Sequence, residues 1–246
     1  MGNIDFFNDL AVKSNDLMNT GRSISLRLNL YRNIFNDING KVKFSAADRV
    51  LDLGGGCGQI TEYIARNCQR VVLADGAPNA IELAKRQLAQ FGNVSYFVCD
   101  INQPPLPDFG MKFDKIICYS VIQYLDSFEK LGALLTDLLA RINPEGKIFF
   151  GDIPLPDKLA RYLVERRNYP IKNFILNQKY YARRFLTGWL FRKNNINVDQ
   201  VQALPWSKEK LKEILNRFSS LEYTFLTQNK KLIFSNSSED LLIIKK

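Results

Sequence analysis

A glycine-rich turn between an apolar strand and a helical pattern constrains this chain more than any other feature. Residues 50–61 read Val-Leu-Asp-Leu-Gly-Gly-Gly-Cys-Gly-Gln-Ile-Thr, in which Gly54, Gly56 and Gly58 follow the strand. Glycine permits the positive φ of a tight turn and lets the backbone approach a ligand, which a Cβ would prevent. A strand, a glycine turn and a helix in this order are typical of a nucleotide-binding loop, in which free helix N–H groups face the ligand.

The spacing of the glycines distinguishes between ligands. A dinucleotide fold has the pattern G-x-G-x-x-G, whereas here Gln59 takes the place of the third glycine and Gly58 comes one residue earlier. Asp52 lies inside the strand, two residues before Gly54. A carboxylate at this place suits a positively charged ligand group and is unfavourable beside a pyrophosphate.

Strands and helices alternate along most of the chain. The predicted strands are residues 49–53, 70–75, 94–100, 113–120, 147–153, 221–228 and 240–245, and the predicted helices after the glycine turn are 61–68, 78–91, 128–142 and 208–218. Nearly all-apolar strands that alternate with helices indicate a parallel sheet covered on both faces. The last two strands are close enough in sequence to pair antiparallel.

The chain divides into three predicted regions. Residues 1–45 form an N-terminal helical cap, because apolar residues recur there at helical spacing. Residues 46–154 and 201–246 form the core, and residues 155–200 form a basic, aromatic helical insertion after the fifth strand. We expect the cap to close over the ligand, with a dimer face as the alternative.

Composition excludes several kinds of site. The 246 residues include no histidine, which excludes His metal sites and Ser-His or Cys-His nucleophiles. The four cysteines form no Cys-x-x-Cys pair, so we expect neither a zinc site nor disulfides, and a cytoplasmic location. The net charge of +9 favours anionic partners, which are small metabolites, nucleic acid or an acidic membrane surface. We see neither a membrane-spanning run nor a signal peptide.

The strand ends resemble those of class I S-adenosylmethionine-dependent methyltransferases. Asp52, Gly54, Gly56 and Gly58 match the motif that lines the methionine end of the cofactor in that family, and Asp75 follows about twenty residues later. In the family this second carboxylate accepts from both ribose hydroxyls, since it offers two acceptor oxygens to a vicinal diol. The resemblance implies a Rossmann-like α/β fold, a doubly wound, mostly parallel sheet that the C-terminal pair completes to seven strands. It also implies S-adenosylmethionine as cofactor and S-adenosylhomocysteine as product.

Later strand ends extend the resemblance. The resemblance implies that Gly76 lies near the adenine, that Asp100 accepts a hydrogen bond from the adenine amino group, and that Ile101 covers the ring. Tyr119 belongs to the segment whose backbone contacts the amino end of the cofactor. Gln123 stands where many relatives have a histidine, and glutamine cannot take a proton.

Three residues are candidates for catalysis, namely Tyr124, Asp152 and Gln123. Methyl transfer from a sulfonium is an in-line displacement, so the protein mainly aligns the reacting atoms. An amine or carboxylate acceptor needs no base, whereas a hydroxyl needs one, and Tyr124 or Asp152 would serve. The alternatives are structural: Asp152 as a helix cap or turn residue, and Gln123 bonded only to backbone.

The insertion is expected to select a small, anionic acceptor, such as a nucleotide-linked sugar or a phosphorylated intermediate. Arg183 and Arg184 are the candidate phosphate ligands, with a solvated basic helix face as the alternative. RNA is the less favoured acceptor, because the chain lacks the Asn/Asp-Pro-Pro-Tyr/Phe motif after the fourth strand. Membrane-surface contact through residues 185–193 and a non-catalytic or aminopropyl-transferring relative on the same fold are further alternatives. The oligomeric state is left open.

Overall fold

A seven-stranded sheet forms the centre of the protein in the computed structural model, which describes residues 2–13, 30–158, 160, 203–232 and 235–246. The strands are β1 (Arg49–Leu53), β2 (Arg70–Asp75), β3 (Val94–Val98), β4 (Phe113–Tyr119), β5 (Ile142–Pro154), β6 (Leu221–Thr227) and β7 (Ser238–Lys245). Their order across the sheet is β3-β2-β1-β4-β5-β7-β6. Strands β1 to β5 are parallel, and β7 is antiparallel to both of its neighbours. The prediction of a mostly parallel, seven-stranded α/β sheet is therefore confirmed.

Helices cover both faces of this sheet. They are α1 (Asn3–Lys13), α2 (Leu30–Val42), α3 (Thr61–Ala65), α4 (Pro78–Gln87), α5 (Phe128–Arg141) and α6 (Lys208–Leu215). Helix α4 has proline in its first turn, where the missing N–H is tolerated. Helix α6 begins after Ser207, whose side chain accepts a hydrogen bond from the backbone N–H of Lys210.

The two faces of the sheet bury different helices because successive side chains of a strand point in opposite directions. Leu51 and Phe150 belong to the apolar cluster that includes α5 and α6. Val50 and Phe149, their neighbours in sequence, belong to the cluster that includes α2 and α3. Both faces are thus covered, as the nearly all-apolar strands predict.

Some element ends differ from the prediction. Helix α3 ends at Ala65 and α4 at Gln87, earlier than predicted. Strand β5 begins at Ile142 rather than at residue 147, because Ile142 pairs with Phe113 before a register shift in the β4–β5 ladder. In the ranges that the structure describes, no helix is both long enough and apolar enough to cross a membrane. Most of the predicted insertion at 155–200 lies outside those ranges, and the division into domains stays a prediction.

Candidate functional site

A cavity of about 550 Å³ lies at the carboxyl ends of the parallel strands. Its centre is the gap between β1 and β4, where the strand order reverses and where ligands of such sheets bind. The structure brings most of the predicted site residues to its wall: Asp52, Gly54, Gly56, Asp75, Gly76, Asp100, Ile101, Tyr119, Gln123, Tyr124 and Asp152. Arg183 and Arg184 lie outside the described residues.

The glycines of the turn have different structural roles. Gly54 and Gly56 have φ of +76° and +56°, a region that side-chain-bearing residues rarely adopt. A Cβ on Gly56 would meet no atom within 4 Å, so this backbone is open to a ligand. A Cβ on Gly58 would lie 2.7 Å from Cδ1 of Leu88. Gly58 is absent from the cavity wall, and its close approach to Leu88 indicates a packing role, while its predicted cofactor contact stays a prediction.

Asp75 connects the glycine turn to the end of β2. One carboxylate oxygen accepts from the backbone N–H of Gly56 and the other from that of Ala77, both at 2.9 Å. Burial raises the pKa of Asp75, and these two backbone hydrogen bonds oppose the shift. Each oxygen keeps a lone pair for a further donor. The arrangement fits the predicted recognition of two neighbouring hydroxyl groups.

Asp52 is a buried carboxyl beneath the glycine turn, with only 2% of its surface exposed. It accepts a hydrogen bond from Oγ1 of Thr61 at 2.6 Å. Burial raises the pKa of Asp52 to about 6; the Thr61 hydrogen bond lowers it and the charge of Asp75 raises it. A positive ligand group beside this carboxyl would favour its ionised form.

The end of β3 is held by an asparagine that sequence reasoning missed. The backbone N–H of Asn102 donates to Asp100 at 2.9 Å, and Oδ1 of Asn102 accepts from the backbone N–H of Asp126 at 2.8 Å. Lys130 donates to the Asn102 carbonyl at 2.6 Å. The signal in the sequence is the Asp-Ile-Asn spacing, because an aspartate readily bonds the backbone two residues on. This turn fixes Asp100 and Ile101 on the cavity wall.

Helix α1 contributes part of the wall through Asn3, Ile4 and Phe7. A Cβ on Gly76 would lie 3.1 Å from the Ile4 side chain, so glycine at this position lets α1 approach. The Phe7 ring contacts the Tyr124 ring edge-on, with centroids 4.9 Å apart. The predicted cap is therefore adjacent to the cavity, although the sequence alone did not identify these contacting residues.

A polar cluster lies at the ends of β4 and β5. Oγ of Ser120 donates to Oδ2 of Asp152 at 2.9 Å, and Nε2 of Gln123 donates to Oγ of Ser120 at 3.2 Å. Ser120 and Asp152 have φ of 64° and 57°, a strained conformation that concentrates at functional sites. Oε1 of Gln123 is buried and has no hydrogen-bond partner among the described residues. Sequence reasoning missed Ser120, since no local pattern signals a positive φ at a serine.

Among the residues that the structure describes, no three Cys, Asp or Glu side chains are grouped so as to hold a metal ion. The site therefore consists of buried carboxyls, backbone N–H groups and one amide–hydroxyl–carboxylate cluster.

Comparison with known proteins identifies a family. The family model described as Nodulation protein S (NodS) matches residues 34–157, about half of the chain. Nodulation protein S of Bradyrhizobium diazoefficiens is 28% identical over 105 residues, which are 43% of this chain and 49% of that protein. The mitochondrial ubiquinone biosynthesis O-methyltransferase of Schizosaccharomyces pombe is 27% identical over 158 residues, 61% of this chain and 54% of that protein. The chain thus spans about half the length of each of these relatives.

A solved structure extends the likeness to nearly the whole chain. The N-methyltransferase NodS from Bradyrhizobium japonicum WM9, in complex with S-adenosylhomocysteine, superimposes with a TM-score of 0.60 over 98% of both chains. The two are 17% identical in sequence, so this likeness shows the fold. Together with the matched family model, it confirms the predicted resemblance: the chain belongs to the NodS family and has the fold of the class I S-adenosylmethionine-dependent methyltransferases.

Proposed function

We propose that this protein transfers the methyl group of S-adenosylmethionine to an amino nitrogen of a small-molecule acceptor. One observation carries the proposal. A single cavity presents carboxyls suited to the cofactor at the ends of β1 to β3 and a separate polar cluster at the ends of β4 and β5. The name of the solved NodS from Bradyrhizobium japonicum, an N-methyltransferase, supports nitrogen as the acceptor atom.

The strand order supports this division of the cavity. An extended cofactor whose adenine lies at Asp100 and whose ribose lies at Asp75 runs from β3 across β2 to β1. Its reacting end then lies between β1 and β4, with Asp52 below and the Ser120–Asp152 pair on the far side. When bound, the cofactor supplies the electrophilic methyl group.

The polar cluster has the chemistry to hold an amine. Asp152 is a hydrogen-bond acceptor on the cavity wall, and an amine supplies N–H donors. It holds the nitrogen in line with the methyl carbon, which is the main requirement of a displacement. Asp152 is also able to take the proton that the methylated nitrogen releases, whereas Gln123 only orients. We assign Tyr124 to the cofactor end, because its ring packs against α1.

The finer identity of the acceptor stays a prediction. The prediction of an anionic acceptor depends on Arg183 and Arg184 as its ligands. The variants Arg183→Ala and Arg184→Ala are expected to weaken acceptor binding and to leave S-adenosylhomocysteine binding unchanged. Unchanged acceptor binding in both variants would count against it. Contact with nucleic acid or a membrane surface is likewise a prediction.

Calorimetric titration with S-adenosylhomocysteine tests the cofactor end. Asp75→Asn is expected to weaken binding by about 10- to 100-fold, the value of hydrogen bonds to a charged acceptor. Glu82→Gln on the exposed side of α4 is the control and should bind normally. A folded wild-type protein that binds neither this product nor S-adenosylmethionine would refute the proposed function.

Sinefungin, a cofactor analogue with a primary amine on the carbon that replaces the sulfur, tests the acceptor end without a known acceptor. Its amine projects where the methyl group would lie, so we expect it to bind more tightly than S-adenosylhomocysteine. Asp152→Asn should abolish that preference and leave the affinity for S-adenosylhomocysteine unchanged. Equal wild-type affinity for both compounds would contradict an amine site.

A further inference from the structure

Strand β5 contains a bulge beside the polar cluster. The residues on either side pair regularly with β7, so that Gly151 and Asp152 together face the single residue Asp240. A bulge leaves one backbone group without its normal ladder partner and re-aims a side chain. Here the backbone N–H of Asp152 donates to Oδ1 of Asp240 at 2.8 Å. A side chain of β7 therefore replaces the missing ladder carbonyl.

Asp240 is fully buried and is held by several donors. Lys41 of α2 contacts its Oδ2 at 2.5 Å, and Nε2 of Gln228 contacts its Oδ1 at 2.9 Å. Lys41 also pairs with Asp37 at 2.6 Å. A buried carboxylate is tolerated when it is paired and hydrogen-bonded, and these contacts, with the N–H of Asp152, meet that condition.

The conformation of Asp152 depends on this arrangement. Its φ of 57° is strained for a residue other than glycine and persists only where the surroundings hold it. The same residue turns its carboxylate toward Ser120 and the cavity wall. Gln228 bridges the two carboxylates, because its Nε2 also lies 3.4 Å from Oδ1 of Asp152.

We infer that Asp240 is a positioning residue for the transfer reaction. Paired with Lys41, it holds the backbone of Asp152 so that the Asp152 carboxylate faces the acceptor nitrogen. The inference rests on the proposed function. A buried ion pair alone is weak evidence of any role, since apolar residues often replace one without loss of stability. The feature that links the Lys41–Asp240 pair to the reaction is the hydrogen bond that Asp240 accepts from the backbone N–H of Asp152, a residue with positive φ on the cavity wall.

The first test compares two ligands on the full-length protein by calorimetry. In Asp240→Asn the preference for sinefungin over S-adenosylhomocysteine should fall about tenfold, as for the loss of one charge-assisted hydrogen bond, while the affinity for S-adenosylhomocysteine stays unchanged. Lys41→Met is a second variant, which serves also if Asp240→Asn fails to fold, because it leaves the sequence of β7 unchanged. It should lower the preference for sinefungin as well.

The matched control is another partly buried ion pair at the opposite end of the sheet. Asp48 contacts Lys115 at 3.1 Å, away from the cavity. Asp48→Asn should lower stability and leave the ratio of the two affinities unchanged. A purely structural role of Asp240 predicts the same behaviour for Asp240→Asn, and that result would overturn the inference.

The second test needs no ligand. The amide proton of Asp152 donates to a carboxylate, so its NMR signal should lie downfield and move upfield in Asp240→Asn. The amide of Lys147, on the same strand, serves as reference. An unmoved Asp152 signal overturns the inference even if the cofactor binds. Absence of S-adenosylhomocysteine binding, or of any sinefungin preference, in the wild type counts instead against the proposed function, and the Asp152 amide then decides whether Asp240 holds this backbone.

Discussion

Replacing Asp52 with asparagine is expected to make the ligand-free protein more stable at neutral pH. Burial raises the pKa of the Asp52 carboxyl from 3.8 to about 6. The hydrogen bond from Thr61 lowers this pKa, and the charge of Asp75 raises it. The rise is about two units, and each unit corresponds to about 1.4 kcal/mol. Ionised Asp52 therefore lowers the free energy of unfolding by up to about 3 kcal/mol, and asparagine, which can still accept from Thr61, removes this cost.

The sign of the pH dependence follows from the direction of the shift. The folded chain holds the Asp52 proton more tightly than the unfolded chain. The stability that this proton contributes is complete below the unfolded pKa of 3.8 and is lost as pH rises through about 6. The difference between Asp52→Asn and wild type should be near zero at about pH 4 and reach its full value above about pH 7.

Urea unfolding followed by tryptophan fluorescence, from about pH 3.5 to about pH 8, measures this difference. Glu222→Gln on β6 replaces an exposed carboxylate and should give no pH-dependent change. The affinity for S-adenosylhomocysteine should fall in Asp52→Asn, because the negative charge next to the ligand is lost. If the variant is less stable than wild type at about pH 7.5, burial does not dominate the energetics of Asp52 and the reasoning is refuted.

Other changes test the packing around the site. Gly58→Ala should lower the free energy of unfolding by about 1–2 kcal/mol or more, since φ is +87° and the Cβ would lie 2.7 Å from Leu88; weaker ligand binding at unchanged stability would reverse the assignment. Trp206→Phe should cost about 1–3 kcal/mol in urea unfolding, because the indole N–H donates to the buried Ile122 carbonyl at 3.2 Å, and a neutral result would show that the carbonyl finds another donor. The native protein should react slowly with a thiol reagent and rapidly in urea, and fast native labelling would contradict the burial that raises the thiol pKa values of Cys68, Cys99 and Cys118.

The residues that we propose for the cofactor end were predictable as cavity residues because their signals are local. Asp52, Asp75 and Asp100 each stand at or near the end of an apolar strand, and strand ends of a parallel sheet meet at one edge. A local sequence pattern does not distinguish a glycine that leaves space for a ligand from one that leaves space for a neighbouring side chain. Gly56 leaves space for a ligand and Gly58 leaves space for Leu88, and both read as glycine in the same turn.

The proposed acceptor end was only partly predictable because contacts distant in sequence build the polar cluster there. Asp152 was identified from its place at the end of β5, but its conformation depends on a bulge and on Asp240, 88 residues away. Lys41 and Asp240 are 199 residues apart, and Lys41 lies in a helix that reads only as amphipathic. Register shifts and buried ion pairs of this kind depend on the assembled sheet, which no single segment encodes.

The pairing of Lys41 with Asp240 has a consequence for how a newly made chain completes its site. The strands that carry the cofactor carboxyls are all synthesised once β4 ends at Tyr119, whereas Asp240 lies on β7, the last strand in chain order. At ribosomal rates of about 5–20 residues per second, the interval between these two points is roughly 6–24 s. Until β7 is made, β5 lacks the strand against which its bulge forms, and Lys41 lacks one of its two carboxylate partners. A nascent chain therefore acquires the groups that we propose for the cofactor first, and the proposed acceptor end is completed last.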